Sequence, residues 1–311
     1  MIKMKIKLLT QVAFAMLVGV VVSTAQAAQT YLPFSLASND AGTIADKVEG
    51  TKSALSENGF EIAGEYAPYK GAYVIVVTNP ELKKAAATKA RGGYIAAQRI
   101  SLTEMGGKVQ ISYTNPTYMT YAYRVNVKLP QTAAALKKAL GHIKDFGPDE
   151  GQDAEDLNDY HYTFGMEYFD EPLELNTMGS HDAMVAEIEK NLAAKRGGTG
   201  QVYKIAIPGT SQTLFGVSMK APNEGKKYMD EAYIMSEIDF KPLRSTAHLP
   251  YEILVNGKQA EALHARFRIA INFTDLAMMG SNSFMNIMAT PDAIRDALSA
   301  VAGGEVEDED F

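Results

Sequence analysis

Apolar positions recur at helical spacing in two stretches of the chain. In TIADKVEGTKSALSENGF, Ile44, Val48 and Leu55 fall on one face, Thr43 precedes them as a cap and Gly59 ends the run. In SHDAMVAEIEKNLAAKRGG, Met184, Val185, Ile188 and Leu192 form the stripe, Ser180 stands at the cap position and Gly197 at the stop. Each predicted helix leads into two β-branched, strand-like runs: FEIAGEY and AYVIVV in the first half, VYKIAIP and LFGVSM in the second. A closing helix is predicted in each half, over Leu136 to Leu140 and over Ile294 to Leu298.

This shared order suggests a duplication, which would show as constant offsets broken only at insertions. Gly59 pairs with Gly197 at an offset of 138, and Gly107-Lys108 with Gly257-Lys258 at 150. Ile111 pairs with Ile269, and the closing helices with each other, at 158. The expected fold class is α+β, with two similar sheet-plus-helix domains over residues 28–144 and 180–303. Residues 145–179 form the expected linker. Its first part, DFGPDEGQDAEDLND, holds seven acidic residues and no Lys or Arg, a composition expected of an exposed segment. A calcium loop there would need alternating oxygen ligands and a fixed Gly, which are missing. Residues 304–311 read as a second acidic segment, a tail.

The order of helix, Gly, strand, then a strand ending in TNPEL, followed by GGKVQISYTNPTYM, resembles the domain of unknown function 302 family. AHLPYEILVNGK carries the resemblance into the second half, where INFTDL stands in place of Asn-Pro. The resemblance spans residues 43–144 and, more weakly, 180–302. It implies a tandem of small sheet-and-helix domains and brings no activity or cofactor with it.

The first residues change the compartment expected. Lys3, Lys5 and Lys7 precede an apolar run from Leu8 to Val22 and an Ala25-Gln26-Ala27 pattern, which reads as a secretory signal peptide over residues 1–27. The apolar run falls short of the ~20 residues of a spanning helix. A periplasmic or secreted protein is therefore expected, with no membrane span after cleavage. Removing that segment takes three Lys and no acidic residue from a formal charge of -7, leaving about 284 residues at -10, which disfavours nucleic acid as a partner. The absence of Cys excludes disulfides, thiolate nucleophiles and thiolate metal sites.

Candidate chemistry is sparse. The tripeptide Thr-Asn-Pro occurs twice, at Thr78 to Pro80 and Thr114 to Pro116, each time after a strand-like run. Asn followed by Pro starts a helix well, because Asn caps free N–H groups and Pro fits the first turn. The functional alternative places Asn79, Asn115, Tyr118, Tyr121 and Asn272 around a ligand crevice at the seam between the halves. Tyr121, Tyr123, Val125 and Val127 alternate as on one strand face.

Methionine offers the other chemistry. Met278, Met279, Met285 and Met288 crowd into DLAMMGSNSFMNIM, with His161 and Met166 as additional metal ligands. Thioethers suit Cu(I), so copper is the candidate cofactor. The competing expectation is core packing, with Met285 and Met288 on an inward helix face. The five His form no metal motif, and no phosphate loop or nucleophile elbow occurs. The leading expectation is a non-catalytic protein that binds a small molecule or a periplasmic protein. A copper-binding protein and an enzyme of unknown class are the alternatives.

Overall fold

The computed structural model describes residues 29–305, so the expected signal peptide over 1–27 and all but two residues of the acidic tail lie outside the described residues. Mixed helix and antiparallel sheet make the fold α+β. The first half runs β1 (Phe34–Ala41), α1 (Ile44–Glu57), β2 (Glu61–Tyr66), β3 (Ala72–Thr78), α2 (Pro80–Ala86), β4 (Gln98–Met105), β5 (Lys108–Thr114), α3 (Pro116–Ala122) and α4 (Pro130–Leu140). Between the halves come β6 (Lys144–Phe146) and α5 (Ala154–Asn158). The second half runs β7 (Leu173–Thr177), α6 (His181–Ala193), β8 (Thr199–Ile207), β9 (Gln212–Met219), α7 (Glu231–Ile238), β10 (Tyr251–Asn256), β11 (Gln259–Ala262), α8 (Ala265–Ala270) and α9 (Thr290–Ala302).

The caps predicted from sequence set the helix starts. Thr43 and Asp46 form a reciprocal capping box on α1, and Ser180 accepts from the Ala183 amide to begin α6. Among the described residues the strands β1 to β11 join one 11-stranded sheet in the order β6-β1-β5-β4-β3-β2-β8-β9-β10-β11-β7. Its halves meet where β2 pairs with β8, Gly64 opposite Tyr203. Outward from that junction the order is β2, β3, β4, β5, β1 on one side and β8, β9, β10, β11, β7 on the other.

The sheet is strongly curled. Arg99 on β4 and Glu252 on β10 have four strands between them, which in a flat sheet would hold them about 24 Å apart. Their side chains instead meet at 3.1 Å. Inside the curl lies a core drawn from both halves, including Val76, Tyr94, Tyr118, Leu214, Leu254 and Phe267. On the outer faces, α1 and α4 cover one half-sheet, and α6 and α9 help cover the other. Each half also lends a 3-10 turn to its neighbour. Gly92–Ile95 lies over β9 and β10, and Thr246–His248 over β3, β4 and β5.

The sequence-derived domains 28–144 and 180–303 therefore share one sheet and one interior. The acidic segment between them is more than an exposed linker. Its charges stay at the surface, but Phe146 pairs on β1 and packs against Phe34, and Leu157 is buried in the shared core. Two local expectations fail. Tyr121 lies in the last turn of α3, Tyr123 is its C-cap and the chain then turns through positive φ at Arg124 and Asn126, so Tyr121, Tyr123, Val125 and Val127 form no strand. Ile111 lies on β5 whereas Ile269 lies on α8, so that offset pairs unlike elements.

Candidate binding site

A crevice of about 400 Å³ opens at the seam between the halves. The first half contributes Tyr69, Lys70 and Gly71 from the turn before β3, and Thr103, Glu104 and Met105 from the end of β4. The second half contributes Ala232, Met235 and Ser236 from α7, and Asp239, Phe240 and Arg244 from the segment that follows. Asp230 starts α7 by accepting from the amides of Ala232 and Tyr233. The segment after α7 is fastened to the first half by Gln110, which donates to the Pro242 carbonyl at 2.7 Å and accepts from the Arg244 amide at 2.9 Å. The Arg244 guanidinium donates to the Asp239 carbonyl and, at 3.2 Å, to the Met105 sulfur.

Tyr69, Thr103 and Asp239 are part of the lining, and Glu231, one residue before the lining residue Ala232, stands outside it. Tyr69 and Thr103 both hydrogen-bond the Thr246 hydroxyl, at 3.1 and 2.9 Å. Asp239 is buried and accepts from the Ser245 amide at 2.8 Å; burial pushes its carboxyl up to about 7, against the opposing pull of that bond and of Arg244. Glu231, at the start of α7, is buried and accepts from the Tyr66 hydroxyl at 2.9 Å. Burial raises its carboxyl to about 8. At the rim Phe240 leaves 47% of its surface exposed beside Lys70 and Glu104. An apolar body of a small molecule has Phe240, Met105 and Met235 to lie on, and Lys70, Ser236 and Arg244 are within the same lining to orient its polar groups.

None of Asn79, Asn115, Tyr118, Tyr121 and Asn272 is in the crevice lining. Asn79 accepts from the Leu82 amide and donates to Thr132, capping α2 with Pro80 in the first turn. Asn115 accepts from the Thr117 amide and donates to the Leu32 carbonyl, capping α3. Tyr118 is fully buried and donates to the Ile271 carbonyl, so it does bridge the halves, within the core. Tyr121 packs on Tyr31 with ring centres 5.5 Å apart. Asn272 is buried and donates to His248 at 2.9 Å.

The methionines also depart from expectation. Met278, Met279, Met285 and Met288 are 46%, 71%, 50% and 63% exposed, so they fill no core. Phe284 and Ile287 take the inward positions of that turn, because the aromatic and branched side chains pack there. His161 and Met166 line one surface hollow with Phe164 and Tyr168. Among the described residues no group of three His, Cys, Asp or Glu could hold a metal ion.

Sequence reasoning missed a buried charged group inside the curl. Glu252 accepts from Arg99 at 3.1 Å and from the Tyr203 hydroxyl at 2.5 Å, and Arg268 approaches it at 3.8 Å. Arg268 and Asn272 both donate to Nδ1 of His248, which leaves the imidazole proton on Nε2, facing the Tyr251 hydroxyl at 3.2 Å. Burial and the neighbouring Arg268 hold this His well below its usual pKa, hence neutral. The available signal was an ionic residue set in an apolar run, as in QRISL, PYEILV and ARFRIA. No protein-family model, no curated protein and no solved structure matches this chain.

Proposed function

We propose that the protein is a non-catalytic binding protein that holds a small molecule in the seam crevice. The observation that carries this reading is the lining itself: both halves build it, and it combines exposed apolar surface with a few fixed polar groups. Catalysis has less support. Asp239 in the lining is engaged by the Ser245 amide, and among the described residues no group of three His, Cys, Asp or Glu could hold a metal ion beside it.

The remainder of the reading rests on the sequence. The residues over 1–27 support export to the periplasm or beyond, where the ligand would be met. The matching strand order on either side of the β2–β8 junction supports descent of the halves from one duplicated unit, and the Thr-Asn-Pro strands support kinship with the domain of unknown function 302 family.

The test is occlusion of the crevice. Ser236 lies on the exposed side of α7, so Ser236→Trp fills the space without disturbing the core. In a thermal-shift screen of small organic acids, amines and aromatic compounds, compounds that stabilise the wild-type protein are expected to lose that effect on the variant. Equal stabilisation of both proteins would place binding elsewhere.

A further inference from the structure

We propose that the exposed methionines of residues 276–289 form a binding site for Cu(I), separate from the seam crevice. These side chains stand outward from a segment whose backbone is fixed. The Phe284 amide donates to the Ala277 carbonyl at 2.9 Å, and the Met285 amide to the Met278 carbonyl at 3.1 Å, which sets Met278 beside Met285. Residues Phe284–Ile287 form a 3-10 turn, in which side chains three apart superpose. Phe284 and Ile287 thereby share the buried side, and Met285 and Met288 share the exposed one.

The base of the group is rigid. Tyr162 stacks on Phe284 with ring centres 5.4 Å apart, and its hydroxyl lies 3.9 Å from the Met278 sulfur. Ser283 donates to the Gly280 carbonyl at 2.8 Å, and Asn282 reaches back to the Ser236 carbonyl at 3.2 Å. Met278 and Met285 are therefore held side by side, Met288 shares the exposed side with Met285, and exposed Met279 adjoins Met278 in the chain. Thioether sulfur is neutral, soft and not protonated in water, so it discriminates in favour of Cu(I) and against hard divalent ions. Exposure distinguishes this group from gap-filling methionine, which is buried. A purely apolar contact surface would be served as well by Leu, which supplies no ligand.

The full-length protein would be titrated with Cu(I) under a reductant, against a chromophoric Cu(I) chelator, with Zn(II) as a control. The site predicts competition for Cu(I) and none for Zn(II). Met278→Leu, Met279→Leu, Met285→Leu and Met288→Leu combined should weaken Cu(I) binding by at least about 10- to 100-fold, the range seen when a metal's ligand environment is disturbed. Circular dichroism of the variant reports folding, and Leu keeps the volume and apolar character of the surface. With Ag(I) as a redox-inert probe, the methyl resonances of these four Met should shift in the wild-type protein. Failure of the wild-type protein to compete, undiminished binding by the folded variant, or shifts confined to Met166 would each overturn the proposal.

Discussion

Glu231 is a carboxyl buried almost completely at the first position of α7, where it accepts from the Tyr66 hydroxyl and is also hydrogen-bonded by the Met219 backbone. Its folded-state value near 8 lies above the ordinary 4.5, so the folded protein holds a proton that the unfolded chain releases. Asp239, raised from 3.8 to about 7, acts in the same direction. The stability these groups contribute is complete below their unfolded values and is lost as pH rises through about 7 to 8. Melting temperature should therefore fall between pH 5 and pH 9. Glu231→Gln, which keeps the shape without the titration, should fall less steeply over that range; an unchanged slope would show that Glu231 does not carry it. At this scale the sequence was legible where interactions are local. Thr43, Asn79, Asn115 and Ser180 all cap helices as expected, because a cap and its amide lie within three residues. Arg99 and Glu252 were not legible as a pair, because 153 residues separate them.

At the scale of elements, the junction of the half-sheets depends on one residue. Gly64 sits where β2 meets β8, and a Cβ there would run into the Val202 carbonyl oxygen and come within 2.9 Å of the Tyr203 Cβ. Gly64→Ala should destabilise the protein by about 1–3 kcal/mol, the range for overpacking a tight contact. Chemical denaturation would measure this, and a variant as stable as wild type would mean that the strands separate without penalty. Helical spacing identified α1 and α6 because one face of each is buried, and the strands beside this junction stood out as short apolar runs, β3 and β9 being buried on both faces. Periodicity failed at Tyr121 to Val127, where alternation was coincidental: the helix started at Asn115-Pro116 takes in Tyr121, and the residues after it turn through positive φ at Arg124 and Asn126. It also failed at Met285 and Met288: spacing gives a shared face but not which face is turned inward, and Phe284 and Ile287 took the buried one.

In the whole molecule, the curl brings the two halves into contact along the shared core, the exchanged 3-10 turns and the seam crevice. The order of elements in each half was legible from pattern. Which strand edges join was not, since alternation records the buried face of a strand and is silent about its neighbour. The residues that line the seam crevice come from a turn, the end of β4, α7 and the segment after it, and no local pattern announces which of these meet across the seam. Native mass spectrometry of the protein, released gently from its own cells, is the most direct check of the proposed crevice site. A non-covalent mass excess of one small organic molecule is expected on the wild-type protein and a bare mass on Ser236→Trp. A bare mass for both, or the same excess on both, would contradict it.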